Sequence, residues 1–289
     1  MELIDTGFVK SALPLRPDNA HKGTMGTLLN VCGCYGMAGA GMLAAKAALR
    51  TGAGLVKWAL PQSIYPVAAS QIWECVYLPM AQTEAGALSA ENISLILSAA
   101  EKSTALLMGC GLSVCADTRQ IVTTLLKECS KPLVLDADAL NCIADRPEVL
   151  KTAATVPVIT PHPAEMGRLT GKSAAQINSD RQNTALSFAA EYGAVTVLKG
   201  AKTVVASPDG RVLTNPTGNS GMATGGSGDV LAGMVASLTA QGTEAFEAAA
   251  AAVYLHGLAG DLAAERFGKA SMLPTDLIEF IPQAIKSIQ

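Results

Sequence analysis

The stretch Thr27-Leu-Leu-Asn-Val-Cys-Gly-Cys-Tyr-Gly-Met-Ala-Gly-Ala-Gly-Met-Leu-Ala-Ala-Lys-Ala-Ala-Leu49 reads in three parts. Thr27 to Val31 has the short apolar character of a buried strand. Gly33 to Gly41 is a glycine-rich loop, and Met42 to Leu49 is an alanine-rich helix. A second strand at Leu55 to Leu60 completes a βαβ unit, the crossover that parallel strands need. The spacing Gly33-x-x-Gly36-x-x-Gly39 is not the dinucleotide fingerprint, and no acidic residue closes the second strand. Gly39, Ala40 and Gly41 are small enough for a ligand to reach the backbone, and close helix–strand packing would use them equally well.

Working outward, the alternation continues. A strand near Val76 precedes a helix from Glu91 to Ala100 with Ser89 as its cap. Further strands follow at Ala105 to Met108 and from Leu133, with a helix around Ile121 to Leu126 between them. Such short, continuous apolar runs suit a parallel sheet covered on both faces. Ligands collect beyond the carboxyl ends of such strands, so the loops at 33–41, 109–113, 136–141 and 160–165 should share one edge. In the last of these, Pro161 and Pro163 restrict the backbone around His162. Glu165 falls in the first turn of the next helix, where a carboxylate suits the dipole. Residues 1–20, with Pro14 and Pro17, read as an irregular lead-in.

Val195 to Leu198 is a strand that delivers Lys199-Gly-Ala-Lys-Thr203, and Pro208-Asp-Gly210 divides an antiparallel hairpin over 203–215. The hairpin feeds Thr217-Gly-Asn-Ser-Gly-Met-Ala-Thr-Gly-Gly-Ser-Gly-Asp229, a loop dense in glycine that runs into a helical face of Val230, Leu231, Met234, Val235 and Leu238. A glycine turn opening a helix leaves backbone N–H groups free and attracts anions. Asp229 is misplaced in an anion hole unless it takes part in chemistry, holds a metal or only caps the helix. Helices follow at Ala245 to Leu262, which could lie at an interface or in the core, and near Leu277 to Ile288. The expected fold is α/β, a mostly parallel sheet between two helical layers with a hairpin near its C-terminal part, in a single domain over 1–289.

The chain has 289 residues, 49% hydrophobic and 16% charged, with a net charge of −3, which gives no support for nucleic-acid binding. The N-terminus lacks a basic region followed by an apolar core, and Lys46 and Arg50 interrupt the best apolar run. A cytoplasmic protein acting on small molecules, with no membrane, is expected. Seven cysteines without paired C-x-x-C spacing read as buried free thiols.

Together these motifs resemble the carbohydrate-kinase-like NAD(P)H-hydrate dehydratases of the ribokinase-like superfamily. The resemblance runs from His21-Lys-Gly23 to Leu277-Ile-Glu-Phe-Ile-Pro282. It rests on Gly39-Ala40, Arg50-Thr-Gly-Ala-Gly54, Asp136-Ala-Asp-Ala-Leu-Asn141, Pro161-His-Pro-Ala-Glu165, Lys199-Gly-Ala-Lys-Thr203, Asn215-Pro-Thr-Gly218 and Gly225-Gly-Ser-Gly-Asp229 in order. Cys110 and Ala164 stand where proline and glycine are usual, which bears on local loop shape. The resemblance implies a ribokinase-like three-layer sandwich and a carbon–oxygen lyase that repairs a damaged cofactor. Such an enzyme removes water from the 6-hydroxy hydrate of NADH or NADPH (the S epimer), using ADP in bacteria or ATP in eukaryotes, with Mg2+. It also implies a homotetramer, here in a stand-alone form, since too few residues precede His21 for the epimerase domain fused to many relatives.

Carried over by position, the resemblance implies that Ala40, Gly111 and His162 contact the hydrate. Lys199, Gly200, Ala201, Lys202 and Thr203, with Gly228, would form the nucleotide site, and Asp229 would touch substrate and chemistry alike. No metal ligand is assigned. Hydroxide is a poor leaving group, so the hydrate's hydroxyl has to become a phosphate ester. Asp229 is expected to take its proton, with the N–H groups of Gly226, Ser227 and Gly228 as an anion hole. Two other classes use parts of this set: a kinase of the superfamily acting on a vitamin-precursor alcohol, and a non-enzymatic nucleotide sensor that needs no Asp229.

Overall fold

A computed structural model describes residues 2–289. Nine strands run through it: β1 (Thr27–Val31), β2 (Leu55–Pro61), β3 (Cys75–Met80), β4 (Ala105–Met108), β5 (Leu133–Leu135), β6 (Val158–Ile159), β7 (Val195–Leu198), β8 (Val204–Ala206) and β9 (Val212–Thr214). They form one sheet in the order β3-β2-β1-β4-β5-β6-β7-β8-β9. Strands β1 to β7 are parallel, whereas β8 and β9 return antiparallel. The segment 199–203 is too short for a crossover, so β8 can only turn back.

The helices are α1 (Thr6–Ala12), α2 (Ala38–Thr51), α3 (Tyr65–Gln71), α4 (Ile93–Glu101), α5 (Ala116–Glu128), α6 (Asp138–Cys142), α7 (Pro163–Thr170), α8 (Ala174–Ser179), α9 (Arg181–Tyr192), α10 (Ser227–Ala240), α11 (Ala245–Phe267) and α12 (Pro274–Lys286). Alternate strand residues face opposite ways. Leu28, Val56, Trp58, Leu107 and Val134 pack with α1, α2, α3, α10, α11 and α12, while Leu29, Val31, Leu106, Met108 and Ile159 pack with α4 to α9. The three-layer sandwich expected from the sequence is the architecture observed.

Helix α10 occupies the middle of one layer. All residues from Val230 to Ala240 are buried, and Ser237 Oγ donates to Ala48 O of α2 at 2.8 Å. The alanine-rich α11 is core as well, with Ala248 to Val253 buried. The cysteines are all free, and only Cys115 is not buried.

Three expectations fail, the first being the loop at 136–141, which turns helical from Asp138 as α6. The lead-in holds α1, capped by Asp5 Oδ1, which accepts from Phe8 N at 2.7 Å. The helix forms because Val9 is fully buried and Phe8 meets Phe246 edge-on; Pro14 and Pro17 lie beyond its end. Helix α2 begins at Ala38, not Met42. Its small residues let it close on Trp58, whose ring would lie 2.4 Å from a Cβ at position 41, so packing overrides the poor helix propensity of glycine.

Candidate active site

The strand exits converge on the N-terminal turn of α10. Gly226, its N-cap, has φ 102°, a conformation open to glycine at little cost. No side chain caps this turn. Ser227 N reaches only Thr224 O, at 3.4 Å, and the buried Ser227 Oγ has no partner. The first N–H groups of a helix have no intrahelical acceptor, so this turn is an unsaturated donor set at the positive end of a helix dipole.

A cavity of about 850 Å3 opens beside it, lined by 199–203, 215–220, Ser227, Gly228, Leu231 and His256. That volume suits a nucleotide-sized ligand. A smaller one, about 570 Å3, lies at the opposite strand ends, near Gly26 and Thr104. The predicted nucleotide residues Lys199, Gly200, Ala201, Lys202, Thr203 and Gly228 therefore line one hollow. Lys202 is exposed and adopts φ 58°. Lys199 is not free: its Nζ is 2.6 Å from Asp136 Oδ1 and 3.9 Å from Glu165 Oε2. Burial works against its charge, but Asp136 and Glu165 outweigh it and hold the pKa above the ordinary lysine value. A Cβ at position 228 would lie 3.2 Å from Lys199 Nζ, so the ammonium stands next to the anion-attracting turn.

On the other side of the turn, Gly111 (φ 63°) approaches Ala40 so closely that a Cβ would stand 2.9 Å from Ala40 Cβ. These two predicted substrate residues thus meet. His162 is the N-cap of α7. Its Nδ1 accepts from Ala164 N at 3.1 Å and Glu165 N at 3.3 Å, which leaves the proton on Nε2, 3.4 Å from Glu165 Oε1. Burial first, then the positive charges of Lys199 and Arg168, lower its pKa. The ring is neutral and committed to capping, with 46% of its side chain exposed.

Asp229 lies between the two sides. One donor atom each of Cys110, Asp136 and Asp229 lie within 4.8 Å of one another. Burial, and then the charge of Asp136, push Asp229 up to about 6, against the lowering effect of a Cys110 hydrogen bond and Lys199. Asp136, given no role of its own in the sequence reading, is 1% exposed and also accepts from Thr160 Oγ1 at 2.6 Å. The available signal was a carboxylate at a strand exit. Glu165, read as a dipole partner, also accepts from His162 N at 2.8 Å and is buried beside Lys199. His256 was missed; its one signal is a histidine within the mostly apolar run 248–260 of an alanine-rich helix.

A family model described as NAD(P)H-hydrate dehydratase matches residues 28–283. The chain belongs to the NAD(P)H-hydrate dehydratase family. It is 41% identical over 261 residues to the ADP-dependent (S)-NAD(P)H-hydrate dehydratase of Neisseria meningitidis serogroup B, covering 89% of this chain and 84% of that one. It is 44% identical over 287 residues to the bifunctional NAD(P)H-hydrate repair enzyme of Moorella thermoacetica, covering 99% of this chain and 54% of the other. The chain thus spans about half the length of the bifunctional relatives it matches. Among solved structures, the ADP/ATP-dependent NAD(P)H-hydrate dehydratase of Bacillus subtilis, crystallised with ATP/Mg2+, superposes with a TM-score of 0.85 at 30% identity, covering 100% and 99% of the two chains. The dehydratase fold here is the ribokinase-like sandwich.

Magnesium, which membership of this dehydratase family suggests, fits the Cys110–Asp136–Asp229 cluster poorly. Mg2+ favours an octahedron of hard oxygen atoms. Cys110 is a soft thiol, kept protonated by a hydrogen bond with Cys32 and by burial. Asp136 Oδ1 already holds Lys199 and Thr160. No magnesium ligand is assigned to these side chains.

Proposed function

We propose that this protein catalyses the nucleotide-dependent dehydration of the 6-hydroxy hydrate of NADH or NADPH. The observation that carries the reading is Asp229: a carboxylate whose pKa is raised to about 6, in the first turn of an uncapped helix, between the nucleotide-sized cavity and the Ala40–Gly111 contact. A base of that pKa is largely ionised at neutral pH and still able to hold a proton.

Asp229 takes the proton of the C6 hydroxyl as its oxygen attacks the terminal phosphorus of ADP. The bond from phosphorus to the nucleotide breaks, leaving AMP and a phosphate ester. The ring nitrogen's electron pair then expels phosphate, and loss of a C5 proton restores the dihydropyridine. The N–H groups of Gly226, Ser227 and Gly228 hold the charge on the transferring group, and the unpartnered Ser227 Oγ is a further donor there. Lys199 to Thr203 and Gly228 bind the nucleotide, with the exposed Lys202 as one cation and Lys199 acting from its ion pair. Ala40, Gly111 and His162 bound the hydrate; His162 presents its ring face and Nε2–H, since Nδ1 is spent on the helix. Mg2+ would arrive with the nucleotide's phosphates, and no step is assigned to it.

ADP over ATP follows from the likeness to the Neisseria relative, which is named for ADP dependence. A cytoplasmic homotetramer is part of the same reading; among the described residues no helix is long and apolar enough to cross a membrane. The test mixes the protein with NADH hydrate and ADP, or ATP. Return of dihydronicotinamide absorbance together with AMP and phosphate is the expected result. Binding of nucleotide without recovery of absorbance would overturn the reading.

A further inference from the structure

Helix α11 brings to the site a group that the mechanism above does not use. His256 is 8% exposed, and its Nε2 lies 3.0 Å from the Ser227 carbonyl oxygen. A carbonyl only accepts, so Nε2 carries the proton. Burial pushes the ring down to about 4, which leaves it neutral at physiological pH. The distance is set firmly, because α11 grips the same loop at two other points. Thr217 Oγ1 donates to Tyr254 O at 2.8 Å, and Asn215 Nδ2 donates to Val253 O at 3.3 Å.

The Ser227 C=O and the Gly228 N–H belong to one planar peptide group. A donor on the oxygen fixes that plane and polarises the N–H on its other side, as in any chain of hydrogen bonds. His256, Ser227 and Gly228 all line the same cavity. We propose that His256 is a positioning residue for phosphoryl transfer: its Nε2–H holds the Ser227 oxygen and thereby aims and strengthens the Gly228 N–H toward the transferring group. The inference rests on the reading of Gly226 to Gly228 as the anion hole.

Gln can place an amide N–H near the position of Nε2, whereas Leu keeps volume and loses the donor. In the hydrate-plus-ADP assay, His256→Leu should lower kcat about 10-fold or more, with KM for the hydrate moved by less than about 3-fold, and His256→Gln should recover most of the rate. Equal turnover in wild type and His256→Leu overturns the proposal. So does equal loss in both variants when both melt cooperatively like the wild type, since volume would then be the cause. Should the variants not fold, nitrogen NMR of the wild-type ring decides: an Nδ1–H tautomer overturns the proposal, and an Nε2–H tautomer unchanged from pH 5 to 9 supports it. If the wild type binds ADP but leaves the hydrate untouched, the functional reading alone fails. ADP affinity then takes the place of kcat, with wild type and His256→Gln expected above His256→Leu and equality of all three overturning the proposal.

Discussion

At the scale of single residues the site is a balance of buried charges. Lys199 faces Asp136 and Glu165, while Asp229 faces Asp136 without a cation of its own. Replacing Lys199 with Met strands two buried carboxylates and should cost about 3 kcal/mol of stability, read from denaturant unfolding. The opposite sign is expected for Asp229→Asn. Folded Asp229 holds its proton more tightly than the unfolded chain does, so its contribution is favourable below the ordinary carboxylate pKa and is lost as pH rises through about 6. The Asn variant should therefore be more stable than wild type at pH 8, by on the order of 1–2 kcal/mol, with turnover down at least about 100-fold. In the wild type, kcat/KM should fall as pH drops below about 6. A flat profile down to pH 5 would remove Asp229 as the base. Asp229 was legible in the sequence because a carboxylate in a glycine turn conflicts with its surroundings. Asp136 and His256 were not, since what they do depends on partners 63 and 29 positions away.

At the scale of elements, the sequence pattern placed β1, β4 and β7 at their observed bounds, because short runs dominated by apolar and β-branched residues between turn signals allow little else. It failed at α1, at the start of α2 and in the loop expected at 136–141, which is helical from Asp138; the first two become helical by docking on Phe246 and Trp58. The N-terminus of α10 shows local and tertiary demands agreeing: Gly226 has a left-handed φ, and a Cβ there would sit 2.7 Å from Leu43 Cδ1. Gly226→Ala should cost about 1–2 kcal/mol and weaken ADP binding in calorimetry more than it weakens hydrate binding. Unchanged ADP affinity would separate this turn from the nucleotide.

For the whole molecule, covering both sheet faces hides nearly every thiol. Native protein should react quickly with a disulfide reagent at Cys115 alone, and the remaining six thiols should appear only on denaturation, read as absorbance of the released thiolate. Rapid release of several equivalents would contradict the burial described. The left-handed non-glycine residues among those described, Ser113, Ala137 and Lys202, all fall at strand exits on the edge that holds the site.

Helix α10 begins in open donors and continues, from Val230 onward, with no face toward solvent. This sets two clocks a few residues apart. The N–H groups at the head of the helix exchange with deuterium at the pace of solvent access. Those from Met234 to Leu238 exchange only when the whole molecule opens. A nucleotide in the cavity should slow the first clock by covering it directly, and the second only through the added global stability that binding confers.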